Sequence, residues 1–127
     1  MPTKRTEPVT RLSFPLSEEL RQQTLETLAK LRESSDRRQH IPLLSNLISD
    51  LTESGLEYYF VHSLEKAGVG LIGVSTAKLG IASTSKGIPV VMSKVVGLMS
   101  DKQLLAVADF IEEALIEEPR TRKRRKT

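Results

Sequence analysis

A mainly α-helical domain is the fold class this sequence predicts: one short strand, then four to five helices, then a disordered basic tail. Three observations predict it. Apolar residues recur at helical spacing from Leu20 onward, helix-start signals stand at Ser17 and Ser100, and the last eight residues, RTRKRRKT, hold six basic side chains and nothing to bury. A length of 127 residues suits one small core rather than two domains. Residues 9–118 form the expected domain, residues 1–8 a flexible basic N-terminus and residues 119–127 the tail.

The strand is expected over residues 9–16, VTRLSFPL, where Thr10, Leu12, Phe14 and Leu16 alternate with Arg11, Ser13 and Pro15. Pro15 has no N–H and must lie at its end or on an unpaired position. Ser17 followed by Glu18 and Glu19 is an N-cap with carboxylates at the positive end of a helix dipole, so helix 1 should run from Glu18 to Arg32. Leu20, Thr24, Leu28 and Leu31 form its inner stripe. The polar run from Glu33 to His40 reads as a loop, and Pro42 suits the first turn of helix 2. Leu44, Leu47, Ile48 and Leu51 give that helix one apolar face, and it either stops near Gly55 or continues through Tyr59, Phe60 and Leu64. Tyr58, Tyr59 and Phe60 are three of only five aromatic residues, which suits a core anchor.

Gly87, Ile88 and Pro89 should interrupt the next helix, because a residue before proline avoids the helical region. A short helix from Pro89 to Leu98 follows. Ser100 and Gln103 then make a capping box opening a last helix with Leu104, Ala108, Ile111 and Leu115 inward and Asp109, Glu112, Glu113, Glu117 and Glu118 outward, ended by Pro119.

Gly68-Val69-Gly70-Leu71-Ile72-Gly73 fits the G-x-G-x-x-G pattern of a dinucleotide turn, which requires a strand before it and an acidic residue about 20 positions on. No Asp or Glu occurs between Lys66 and Asp101, so no cofactor is expected. On a helical wheel Gly70, Gly73, Thr76, Ala77, Gly80, Ser83, Thr84 and Gly87 share one arc, and every one of them is small. Such a stripe lets another helix backbone approach closely, inside the monomer or across a dimer.

The remaining chemistry is sparse. There is no cysteine, His40 and His62 are far apart in sequence, and neither a G-x-S-x-G nucleophile turn nor a phosphate loop is present. No metal and no enzymatic activity are expected. The N-terminus MPTKRTEPVTR has no apolar segment behind it, so no secretory signal is expected, and the longest uncharged run of the apolar middle, Ala67 to Ala77, is far below the roughly 20 residues of a membrane span. An intracellular location follows, cytoplasmic or nucleoid-associated, or nuclear in a eukaryote. Charge divides unevenly: residues 41–119 hold 5 basic and 10 acidic side chains, whereas Arg122, Lys123, Arg124, Arg125 and Lys126 crowd into the tail.

The alternation in Arg11-Leu12-Ser13-Phe14, followed by Leu16-Ser17-Glu18-Glu19-Leu20 and two helices, resembles the ribbon-helix-helix DNA-binding family over residues 9–54. The resemblance implies a dimer whose paired strands enter the major groove, with Arg11 and Ser13 toward the bases, Leu12 and Phe14 toward the core and the start of helix 2 on the phosphates. This sequence departs from that pattern in a longer loop from Arg32 to Ile41 and in Pro15. Two functions are therefore expected in order. The first is a small dimeric DNA-binding regulator using Arg11 and Ser13, with Lys4, Arg5 and the tail adding salt-sensitive contacts. The alternative is a helical interaction or scaffold protein, binding a protein partner or a second copy, with basic tails as tethers.

Overall fold

In the computed structural model, which describes residues 10–117, the chain is built from helices alone. They are α1 (Glu18–Glu33), a 3-10 turn (Arg37–His40), α2 (Ile41–Leu56), a π-helical segment (Glu57–His62), α3 (Ser63–Lys66), α4 (Leu71–Gly97) and α5 (Asp101–Ala114).

The expected N-terminal strand is not formed. Residues 10–17 have no regular structure, and no strand exists among the described residues with which they could pair. A strand is stabilised by its ladder, so alternation without a partner does not suffice. Side chains hold the segment instead. The ring of Phe14 sits edge-on to Tyr59, with centroids 6.2 Å apart and an interplanar angle of 78°. The Tyr59 hydroxyl donates a hydrogen bond to the Ser13 carbonyl. Phe14 and Leu16 are half-buried, whereas Leu12, expected in the core, is 86% exposed.

α1 begins where the capping signal places it: Ser17 Oγ accepts from the Leu20 amide at 3.1 Å, beside Glu18 and Glu19. Leu20, Thr24, Leu28 and Leu31 turn inward, and the Thr24 hydroxyl is satisfied by donating to the Leu20 carbonyl at 2.7 Å. Part of the expected loop tightens into the 3-10 turn before Pro42 opens α2. α2 does not stop at Gly55. Leu56 and Glu57 keep helical dihedrals, and the chain stays helical through the π segment to Lys66, ending at Gly68 with φ +81°. A left-handed residue at a helix end favours glycine because it has no Cβ.

α4 is one helix of 27 residues, with Pro89 inside it and exposed. The expected break at Gly87–Pro89 is thus absent. Pro89 withdraws one donor from the ladder, a local penalty of about 3 kcal/mol in a helix interior, and packing on both sides outweighs it. Ile81, Ser85, Ile88 and Met92 are all turned partly inward across the proline, and Val96 is buried at the C-terminal end.

α5 opens with both halves of the capping box: Gln103 N donates to Ser100 Oγ at 3.2 Å, and Ser100 N donates to Gln103 Oε1 at 2.9 Å. It ends at Ala114, earlier than Pro119 would require, because Leu115 adopts an extended conformation and packs on the core. The core joins Leu20, Leu28 and Leu31 of α1, Leu44 and Leu47 of α2, Val96 of α4, and Leu104, Ala108 and Ile111 of α5. α1 packs on α2 and α5, and α4 lies chiefly along α2.

Candidate functional site

The exposed flank of α4 is the most distinctive surface of the described residues. The side of α4 that turns inward is formed by Val74, Ala77, Ile81, Ser85, Ile88, Met92 and Val96, spaced three and four residues apart. At 100° per residue the centre of the small-residue stripe lies about a quarter turn from the centre of that inner face. Gly70, Thr76, Gly80, Ser83, Thr84 and Gly87 are consequently exposed, with Gly73 and Ala77 half-buried at the edge. A Cβ placed on Gly70, Gly80 or Gly87 would meet nothing within 4 Å. At Gly73 it would lie 2.5 Å from Val69 Cγ1, a neighbour in the preceding turn. Among the described residues no helix covers the exposed part of the stripe.

Large apolar residues border it. Ile72 is 83% exposed, Leu79 70% and Leu98 85%, and Val90, Val91 and Val95 are also exposed. Lys94 lies on this flank and Lys86 at its edge, beside Leu79 and Val90 on the wheel, whereas Lys78 points to the opposite side. The hydroxyls of Thr76 and Thr84 donate to the Ile72 and Gly80 carbonyls at 2.8 and 3.0 Å, so they need no outside partner. A 27-residue helix is about 40 Å long, and its exposed large apolar side chains fall in two groups, Leu71, Ile72 and Leu79 toward one end and Val90, Val91, Val95 and Leu98 toward the other, with small residues between them. No helix of the described residues is long and apolar enough to cross a membrane.

Of the residues expected to contact DNA, the structure describes Arg11 and Ser13. Arg11 and the Ser13 side chain are exposed, but the Ser13 carbonyl is tied to Tyr59 of the same chain. Lys4, Arg5, Arg122, Lys123, Arg124, Arg125 and Lys126 lie outside the described residues. The ribbon implied by the family resemblance lacks its strand. The start of α2, expected to meet phosphates, has no Lys or Arg of its own, and the two arginines of the 3-10 turn before it are engaged internally. Arg37 donates from its backbone N–H to Asp101 Oδ1 at 3.1 Å and from Nη1 to Asp101 Oδ2 at 2.5 Å. Arg38 donates to the Met99 and Gly97 carbonyls, capping the C-terminal end of α4. Residues 10–117 hold 11 basic and 14 acidic side chains, so this part of the chain repels phosphate overall.

Sequence reasoning also missed a groove at the π segment. It is about 380 Å³ in volume and lined by Pro15, Ser54, Glu57, Tyr58, Val61, His62, Glu65 and Lys78. Tyr58 stacks on His62, with centroids 5.3 Å apart, and His62 Nδ1 lies 3.8 Å from Glu65 Oε1. Both side chains of that pair are about half exposed, so the groove is open to water. Among the described residues no three histidine or carboxylate side chains come together to hold a metal ion. The glycine motif follows a helix, α3, so the strand–turn–helix context of a dinucleotide site is absent there.

The outer face of α5 is not simply solvated. Arg32 Nη2 lies 2.7 Å from Asp109 Oδ1 and 2.9 Å from Glu112 Oε1, and these hydrogen bonds, Glu112 first, push the Arg32 guanidinium further above its ordinary range. Arg21 reaches Glu117 Oε2 at 2.9 Å, tying the chain after α5 back to α1. No family model, no curated protein and no solved structure matches this chain.

Proposed function

We propose that this protein is a helical interaction module whose docking surface is the exposed flank of α4. The observation that carries the proposal is the exposure of Ile72, Leu79, Val90, Val91 and Leu98 along one helix whose opposite side is packed on the domain. Clustered apolar surface on a folded domain marks a place where another macromolecule sits. The four-helix body presents α4, and the basic ends act as tethers to anionic surfaces.

The test is a photoreactive amino acid placed at Leu79 or Val91 in the full chain, compared with the same group at Glu26 on the exposed side of α1. Protein adducts formed in the native cell from α4 positions, and not from Glu26, support the reading. Equal or absent labelling from the α4 positions overturns it.

A second reading, DNA binding, is supported by the exposed Arg11 and by the basic residues of the sequence at either end, Lys4 and Arg5 and the six of the tail. It now rests on charge alone, and such binding would be salt-sensitive and indifferent to sequence. Duplex binding across a salt series, with the full chain and with a chain ending at Glu118, tests it. Loss of all binding on removing the tail agrees with a tether, and sequence preference retained without the tail contradicts it.

A further inference from the structure

We infer that the face formed by Gly55 and Tyr59 is a docking slot for an extended polypeptide segment bearing an aromatic ring, filled in this structure by the chain's own residues 13–15 and open to exchange. The slot is built from helical residues that hold one another. Gly55 is buried in α2 and has no Cβ, which leaves room for a ring directly on the backbone: a Cβ there would stand 3.1 Å from Phe14 Cε1. Tyr59, one turn on, packs edge-on to Tyr58 with ring centroids 5.2 Å apart, and Tyr58 in turn stacks on His62. The Tyr59 backbone is fixed as well, since Ser63 Oγ donates to its carbonyl at 2.6 Å. Its hydroxyl reaches outward and donates to the Ser13 carbonyl.

The occupant is held far more loosely. Among the described residues, residues 10–16 make no backbone–backbone hydrogen bond, and Thr10, Arg11, Leu12, Ser13 and Pro15 are exposed. What binds the segment is one ring, one hydrogen bond to a backbone carbonyl, and half-buried Leu16 on the core. Every residue offers a carbonyl, so the slot recognises an aromatic side chain that follows a free carbonyl. Pro15 adds to this chemistry: a proline after the ring disfavours helix at the ring residue, and it lines the groove that continues toward Val61 and Glu65. A second copy does not fit as the donor. Its Phe14 lies three residues from its own Ser17 N-cap, so at about 3.5 Å per residue its α1 would start within about 10 Å of a slot beside which the first copy's α1 already starts. The occupant in trans is therefore a separate polypeptide, and the chain's own segment is its competitor.

The test uses the peptide TRLSFPLS, residues 10–17 of the chain, titrated into the full chain and followed through the amide NMR signals of Gly55 and Tyr59. In the folded Phe14→Ala chain the tethered segment has lost its ring, and the peptide should bind with a dissociation constant on the order of 1 mM or below. The intact segment of the native chain competes at an effective concentration in the millimolar range or above, so native binding should be at least about fivefold weaker. Adding Tyr59→Phe to the Phe14→Ala chain should weaken binding about two- to tenfold, and the peptide carrying Phe14→Ala should not bind. If Phe14→Ala does not fold, Phe14→Leu takes its place and the same outcomes are read. No binding by the folded variant, equal binding by the native chain, or equal binding of the peptide without its ring overturns the inference. Dimerisation of the native chain that Phe14→Ala abolishes overturns it too, since a second copy would then fill the slot.

Discussion

The ring of Phe14 rests on the backbone of Gly55, where a Cβ would stand 3.1 Å from its Cε1 atom. This close approach anchors the irregular N-terminal segment to the helical body, together with the Tyr59 hydroxyl on Ser13. Adding a methyl group at Gly55 therefore has two opposed effects. Alanine favours the helix by about 1 kcal/mol relative to glycine, while the ring of Phe14 must move. In the Phe14→Ala background only the first effect remains, and Gly55→Ala should stabilise by about 1 kcal/mol in urea unfolding. In the native background the gain should be cancelled or reversed. The same increment in both backgrounds would contradict the contact.

Arg37 and Asp101 join the 3-10 turn to the first turn of α5 through two charge-assisted hydrogen bonds, in a site where the Arg37 side chain is only 19% exposed. Asp101→Ala removes both acceptors and an acid from a helix N-terminus, and should cost about 1–3 kcal/mol in denaturant unfolding. Loss below a few tenths of a kcal/mol would show that the pair is solvated like an ordinary surface bridge.

Arg32 bridges Asp109 and Glu112 at the surface, so Arg32→Gln should cost less, about 0.2–1 kcal/mol, and the cost should shrink as salt is added. Its pKa is raised on folding, so the stabilisation is complete below arginine's unfolded value and is lost only as pH climbs through the higher folded one. The stability difference between the native chain and Arg32→Gln should therefore stay constant between about pH 6 and 9, and a difference that changes across that range would contradict the assignment.

Pro89 sits exposed in the middle of α4. Pro89→Ala restores a donor for the Ser85 carbonyl and should stabilise the chain by roughly 1–3 kcal/mol, read as a higher Tm. A lower Tm would mean that a bend at Pro89 is needed for packing on α2.

What was legible in the sequence was local. Ser17 and the Ser100–Gln103 box placed two helix starts because capping involves residues two or three positions apart. The inner stripes of α1 and α5 were legible for the same reason. Thr10 to Leu16 misled because alternation describes a strand only when another strand is within reach, which is a tertiary condition. Pro89 misled because the packing that carries α4 past it comes from another helix. Arg37 and Arg38 read as part of a polar loop, since their acceptors lie about sixty residues onward at Asp101, Met99 and Gly97. The small-residue stripe was legible as a stripe, but not which side of α4 would face α2. Val74 and Ile81 lie at its edge, and they, rather than the glycines, set the rotation of the helix.

The docking role of the α4 flank is tested most directly by a photoreactive amino acid at Leu79 in the full chain, compared with the same group at Glu26. The predicted result is protein adducts from Leu79 and none from Glu26. No adduct from Leu79, or equal labelling from both positions, would contradict the account.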